Sequence, residues 1–135
     1  GYKNPEKKIT NYKGLEHNEI IIIGSEIFIV LHTPGHYPDS ICFWNQQHNC
    51  LFTGDTIFVG RTGRTIGIKS NISQLYNSVY KKILTLPKNT IIYPGHHYGY
   101  KKTITIKENI SLSPFFQCTS ENEFINVMNN FEKNR

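Results

Sequence analysis

Cysteine is scarce in this chain. It has three, an odd number, with no CxxC pair among them. Cys42 and Cys50 lie in apolar, strand-like runs, where a free cysteine behaves as a small hydrophobe. That pattern fits a reducing intracellular setting better than a disulfide scaffold, the cytoplasm first, with mitochondrion or plastid left open. Long apolar runs are missing as well. Nothing approaches the roughly 18–20 residues of a membrane span, so no membrane partner is expected. No signal-peptide pattern opens the chain. Arginine stripes interleaved with aromatics are also lacking. The net charge of +5 comes mostly from scattered lysines, so no nucleic-acid partner is expected either. Anionic small molecules are an equally economical use of that charge.

What is present suffices for one packed domain, since 135 residues can bury a real core and no repeat or linker divides them. The first eighteen residues are polar and read as a loop or an edge strand. Residues 19–23 and 26–31 flank Gly24-Ser25, a hairpin signal. Neither run alternates cleanly, so at least one strand is expected to be covered on both faces. Residues 41–44 and 50–53 form a second hairpin around the polar loop that holds His48. Ile72, Leu75, Tyr76, Val79, Tyr80, Ile83 and Leu84 recur at helical spacing, which predicts a helix over 72–85. Ser70 or Asn71 caps its start and Pro87 marks its end. Residues 90–93 are a short strand, and 103–109 read as either a strand or a short helix. Ser120 and Glu123 have capping-box spacing and open a last helix.

The stretch His32-Thr33-Pro34-Gly35-His36-Tyr37-Pro38-Asp39-Ser40 stands between two apolar runs. Its prolines restrict the backbone on either side of Gly35-His36 and hold His36 on a stiff perch. Asp55 follows the strand 50–53 directly, and His96 follows the strand 90–93. A helical crossover makes those two strands parallel, and parallel strands end on one edge of a sheet. Two hairpin reversals bring the strand before His36 into the same direction. His36, Asp55 and His96 therefore meet at one sheet edge, where ligand sites of α/β sheets favour lying. Two neutral imidazoles and a carboxylate suit zinc or iron(II); the bland alternative is three unrelated polar turn residues. His32 is either a supporting group behind the ligands or a packed residue. Gly60-Arg61-Thr62-Gly63-Arg64-Thr65 is a glycine-punctuated loop with two arginines, either substrate-facing or simply solvated.

Four segments carry a family resemblance. They are His32-Thr33-Pro34-Gly35-His36-x-x-Asp39-Ser40, Leu51-Phe52-Thr53-Gly54-Asp55-Thr56, Gly63-Arg64-Thr65 and Tyr93-Pro94-Gly95-His96-His97-Tyr98-Gly99. In order and spacing they resemble motifs of the metallo-β-lactamase superfamily, and most closely its glyoxalase II and persulfide dioxygenase branch. The resemblance implies an α/β fold, the C-terminal half of a four-layer αββα sandwich with a mixed sheet and flanking helices. It implies one partial domain over 1–135: a polar segment 1–18, a sheet, helix and metal-loop region 19–99, and a C-terminal helical segment 100–135. His36, Asp55 and His96 then match metal ligands, Asp55 as the catalytic residue that bridges two metals or binds a single iron. Arg64 and Tyr98 match glutathione-binding positions.

The implied function is a metal-dependent hydrolase acting through a metal-bound hydroxide on a thioester of glutathione or a similar small thiol. Two zinc ions in the complete domain are the implied cofactor, with iron(II) as the alternative. A mononuclear iron persulfide dioxygenase is the alternative activity, and the run 75–87 leans toward it. The family's His-x-His-x-Asp-His run is not in this sequence. That leaves a third expectation, an inactive half-domain that forms a homodimer or pairs with a missing N-terminal half.

Overall fold

The computed structural model describes residues 12–134, so most of the polar opening segment lies outside the described residues. Strands β1 (Ile20–Ile23), β2 (Glu26–His32), β3 (Ile41–Asn45) and β4 (Cys50–Gly54) follow one another as antiparallel neighbours. β4 then pairs in parallel with β7 (Ile91–Pro94), and β7 pairs antiparallel with the short β8 (Ile104–Thr105). The resulting mixed sheet has the order β1-β2-β3-β4-β7-β8. Both expected hairpins form, the first turning through Gly24 at φ +63°.

Register places Leu31, Cys42, Leu51, Ile92 and Ile104 on one face of the sheet, and all are buried. Helices α1 (Ile72–Ser78), α2 (Ile106–Leu112) and α3 (Glu121–Lys133) cover that face with Leu75, Ile106, Phe124 and Met128. Burying aliphatic and aromatic side chains of this size contributes on the order of 1.5–3 kcal/mol each. Tyr76 and Tyr80 stack at 4.8 Å and both pack on Phe124, so the helix tyrosines belong to the core. The opposite face carries Phe28, Phe43, Phe52 and Tyr93. Phe52 and Tyr93 there remain 42% and 39% exposed. In the outer hairpin, β2 buries the consecutive Val30 and Leu31, as a strand covered on both faces does. β1 instead exposes Ile20, Ile22 and Ile23.

Several elements differ from the sequence expectation. The helix over 72–85 is α-helical only to Ser78; Val79–Ile83 form a wider π turn, in which the Leu84 N–H donates to the Val79 carbonyl at 2.8 Å. Three side chains of this region bond to other elements: Ser78, Tyr80 and Lys82. Asn71, not Ser70, caps the helix by accepting from the Gln74 N–H. Residues 103–109 hold both alternatives, since β8 runs straight into α2. A reciprocal capping box makes the switch: Thr105 accepts from the Glu108 N–H, and Glu108 accepts from the Thr105 N–H. Ser120 caps α3, yet Glu123 reaches back to the Thr119 N–H and so completes a looser version of the box. The loop 60–65 begins as a tight hairpin, β5 (Ile57–Phe58) and β6 (Arg61–Thr62), turning through Gly60 at φ +83°. His48 is more than a solvated turn residue, for its Nε2 pairs with Glu26 at 3.0 Å.

Candidate metal centre

The parallel pair β4–β7 and the end of β2 deliver three loops to one edge of the sheet. The first carries His36. Gly35 lies at φ +141° with its α-carbon pressed on α1, where an added Cβ would stand 2.4 Å from the Leu75 backbone. Its carbonyl accepts from the Asn71 N–H at 2.7 Å, and Ser78 Oγ donates to the Pro34 carbonyl at 2.7 Å. The start of α1 thus clamps the perch that the prolines only stiffen. His32 closes the loop from behind: its Nε2 donates to the Pro38 carbonyl at 3.0 Å, and Lys82 Nζ donates to its own carbonyl at 2.6 Å. Burial, then the charge of Lys82, holds the adjoining His17 below the ordinary histidine value.

Asp55 follows β4. Beneath it Thr33, Cys42 and Thr56 form a buried polar knot, with Thr33 Oγ1 at 3.2 Å from Thr56 Oγ1 and 3.3 Å from Cys42 Sγ. Burial pushes the Cys42 thiol up to about 11, so it stays protonated and serves packing, not nucleophilic attack. Gly63 approaches so closely that a Cβ would meet the Asp55 carbonyl oxygen at 2.0 Å and the His36 ring at 3.0 Å. Only a glycine lets the arginine loop close over this edge.

His36 Nδ1 donates to the Arg64 carbonyl at 2.8 Å, which fixes its tautomer. The lone pair on Nε2 is left on the side of Asp55, 3.8 Å from Oδ2. The other carboxylate oxygen, Oδ1, is 2.7 Å from His96 Nδ1. Each oxygen of Asp55 therefore has one imidazole against it. The donor set fits a divalent cation in kind, two imidazoles and a carboxylate. His96 hydrogen-bonds Asp55, while His36 stands 3.8 Å from it; among the described residues no group of three His, Cys, Asp or Glu is closed as a ligand cluster. The side chains are open, at 33%, 37% and 53% exposure for His36, Asp55 and His96.

A cavity of about 290 Å³ opens from His36 and Asp55 and is walled by Phe58, Arg61, Arg64, Ile66 and Tyr98. Arg64 and Tyr98 both line this cavity, whereas His32 does not. Tyr98 stacks on His96 at 5.1 Å and 16°. Sequence reasoning had Arg61 only as one of two loop arginines; its place in this wall follows from the β5–β6 turn, for which Gly60 was the available signal.

Comparison with known proteins agrees with this architecture. A family model described as "Metallo-beta-lactamase superfamily" matches residues 3–96. The mitochondrial persulfide dioxygenase ETHE1 of Mus musculus is 39% identical over 98 residues, which are 73% of this chain and 38% of that protein. The hydroxyacylglutathione hydrolase of Dictyostelium discoideum is 38% identical over 119 residues, covering 78% of this chain and 44% of its own. The crystal structure of ETHE1 from Myxococcus xanthus superposes with a TM-score of 0.80 at 37% identity, over 87% of this chain and 52% of that one. The chain spans less than half the length of these two curated relatives. With the family model matched over well more than half of the chain and the same fold in a solved relative, the chain belongs to the metallo-beta-lactamase superfamily.

Proposed function

We propose that this chain carries part of a metal-dependent hydrolase of the glyoxalase II type, acting on a thioester of glutathione or a similar small thiol. One observation carries the reading: His36 and Asp55 open onto a cavity that two arginines and a tyrosine wall, and His96 hydrogen-bonds that same Asp55. His36 through Nε2, Asp55 and His96 are the groups that would hold the metal. Zinc bound there would polarise the thioester carbonyl and lower the pKa of an attacking water. The chain's own residues do the remaining work. Arg64 fixes His36 through its carbonyl, and Tyr98 supplies an aromatic wall for the thiol portion.

A second reading is a mononuclear iron persulfide dioxygenase, favoured by the match to mitochondrial ETHE1 at 39% identity beside 38% for the hydrolase relative. We also propose that the uncovered aromatic face of the sheet pairs with a further layer, from a second copy or from chain beyond these residues, because Phe28, Phe52 and Tyr93 form a continuous apolar strip.

Metal analysis and two assays test the reading. The purified chain is loaded with zinc or iron(II), then assayed for S-lactoylglutathione hydrolysis and for oxygen uptake with glutathione persulfide. Hydrolysis with zinc supports the first reading; oxygen uptake with one iron supports the second. Asp55→Asn is expected to lower metal affinity by more than the roughly 10–100-fold that loss of a merely supporting group costs. An Asp55→Asn chain that retains full metal content and rate would remove the basis of both.

A further inference from the structure

The back of the His36 loop gathers basic groups without an acid. Two side chains close on the peptide groups of one residue, His32, at the end of β2. His17 Nδ1 accepts from the His32 N–H at 3.2 Å, and Lys82 of the π turn donates to the His32 carbonyl at 2.6 Å. In an extended strand the N–H and C=O of one residue point to the same side, so the ring and the ammonium stand as neighbours. Neither His17 nor Lys82 pairs with a carboxylate among the described residues. Glu19, in the segment that carries His17, is taken by Lys13 at 2.6 Å and by the Glu16 N–H at 2.9 Å. Burial, then Lys82 and His32 beside it, holds His17 low, and burial pulls Lys82 below the usual lysine value. A partly buried ammonium that has lost water and gained no counter-ion is unfavourable, and an anion relieves it. Donors for one are in place. Lys82 has three N–H groups and uses one, while His17, accepting at Nδ1, carries its proton on Nε2.

We propose that His17 and Lys82 form a binding site for a tetrahedral oxyanion, free phosphate or a phosphoryl group, on the back of the loop that carries His36. Lysine holds phosphate as a point charge, whereas a carboxylate is matched best by the planar fork of an arginine. An ammonium and one ring N–H, brought from two segments, therefore favour phosphate. The site shares no residue with the cavity at His36 and Asp55, so it stands or falls apart from the thiol-conjugate reading. It also has a route to that edge. The two side chains grip both peptide groups of His32, and His32 Nε2 donates to the Pro38 carbonyl across the loop. An anion that draws His17 and Lys82 together tightens the hold on the residue from which the His36 loop departs.

The test titrates inorganic phosphate into the purified chain without added metal, at fixed ionic strength, and follows it by nuclear magnetic resonance. Saturable shifts are expected at His17 Nε2 and Lys82 Nζ, together with slower exchange of the His32 amide. Lys82→Met is expected to weaken phosphate binding by about ten- to a hundredfold, the scale of a lost hydrogen bond to a charged group, and Lys82→Arg to restore most of it. His17 is exposed, so His17→Ala should weaken binding with the melting temperature unchanged, and it keeps the test decisive should Lys82→Met fail to fold. Phenyl phosphate separates the two sources. Binding equal to that of phosphate means that the site reads a phosphoryl group on a larger molecule as well, and exclusion of the ester means that it takes the free ion. Chloride that moves the same signals equally at the same ionic strength would overturn the proposal. So would phosphate affinity unaltered in both His17→Ala and Lys82→Met, or shifts confined to Arg64 and the cavity beside it.

Discussion

At the scale of single residues, the candidate site depends as much on glycines as on ligands. The prolines flanking Gly35-His36 are visible in the sequence, and they suggested local stiffness. The structure shows that the decisive contact is non-local: Gly35 touches the Leu75 backbone, forty residues along the chain. No spacing rule reports such a contact. Gly35→Ala combines an overlap that the backbone cannot relieve with a φ of +141°, which L side chains rarely adopt. Its expected cost is roughly 3 kcal/mol or more, read as a shift in the urea midpoint. Because the same displacement carries His36 away from Asp55, zinc affinity should fall even at temperatures where the variant remains folded. A stable Gly35→Ala chain with wild-type zinc affinity would show that α1 does not set the perch.

At the scale of elements, the strands were legible and the loops were not. Runs such as Ile27-Phe28-Ile29-Val30-Leu31 announce a strand by β-branched and aromatic content. The parallel β4–β7 pair follows from the crossover, and with it the shared edge of Asp55 and His96. The β5–β6 hairpin has only two residues per strand, too short for any periodicity to register. It exists because Asn109, buried in α2, satisfies the backbone of its turn. Asn109→Ala leaves the Gly60 N–H and the Phe58 carbonyl without these bonds in a nearly dry place. The expected loss is roughly 1–3 kcal/mol by denaturant titration. Faster hydrogen exchange at Gly60, with that at Ile92 in the central sheet unaltered, would locate the effect in the turn. Uniform acceleration across both would mean that Asn109 supports the whole fold instead.

At the scale of the whole molecule, the sheet is covered unequally. Helices seal one face, and the other presents Phe28, Phe52 and Tyr93 with centroid steps of 6.1 Å and 5.3 Å. Contiguous apolar surface of this kind tends to be an interface. Phe52 sits at the middle of the strip and is 42% exposed, so a charge there disturbs association far more than folding. Phe52→Glu should therefore change the melting temperature little. If two copies meet through this face, sedimentation velocity over a dilution series will show a concentration-dependent heavier species in the wild type and none in Phe52→Glu. A wild type that sediments as a monomer at every concentration rules out self-pairing. The proposed covering layer is then to be sought in a separate polypeptide, whose addition should protect the Phe28 and Phe52 amides from exchange.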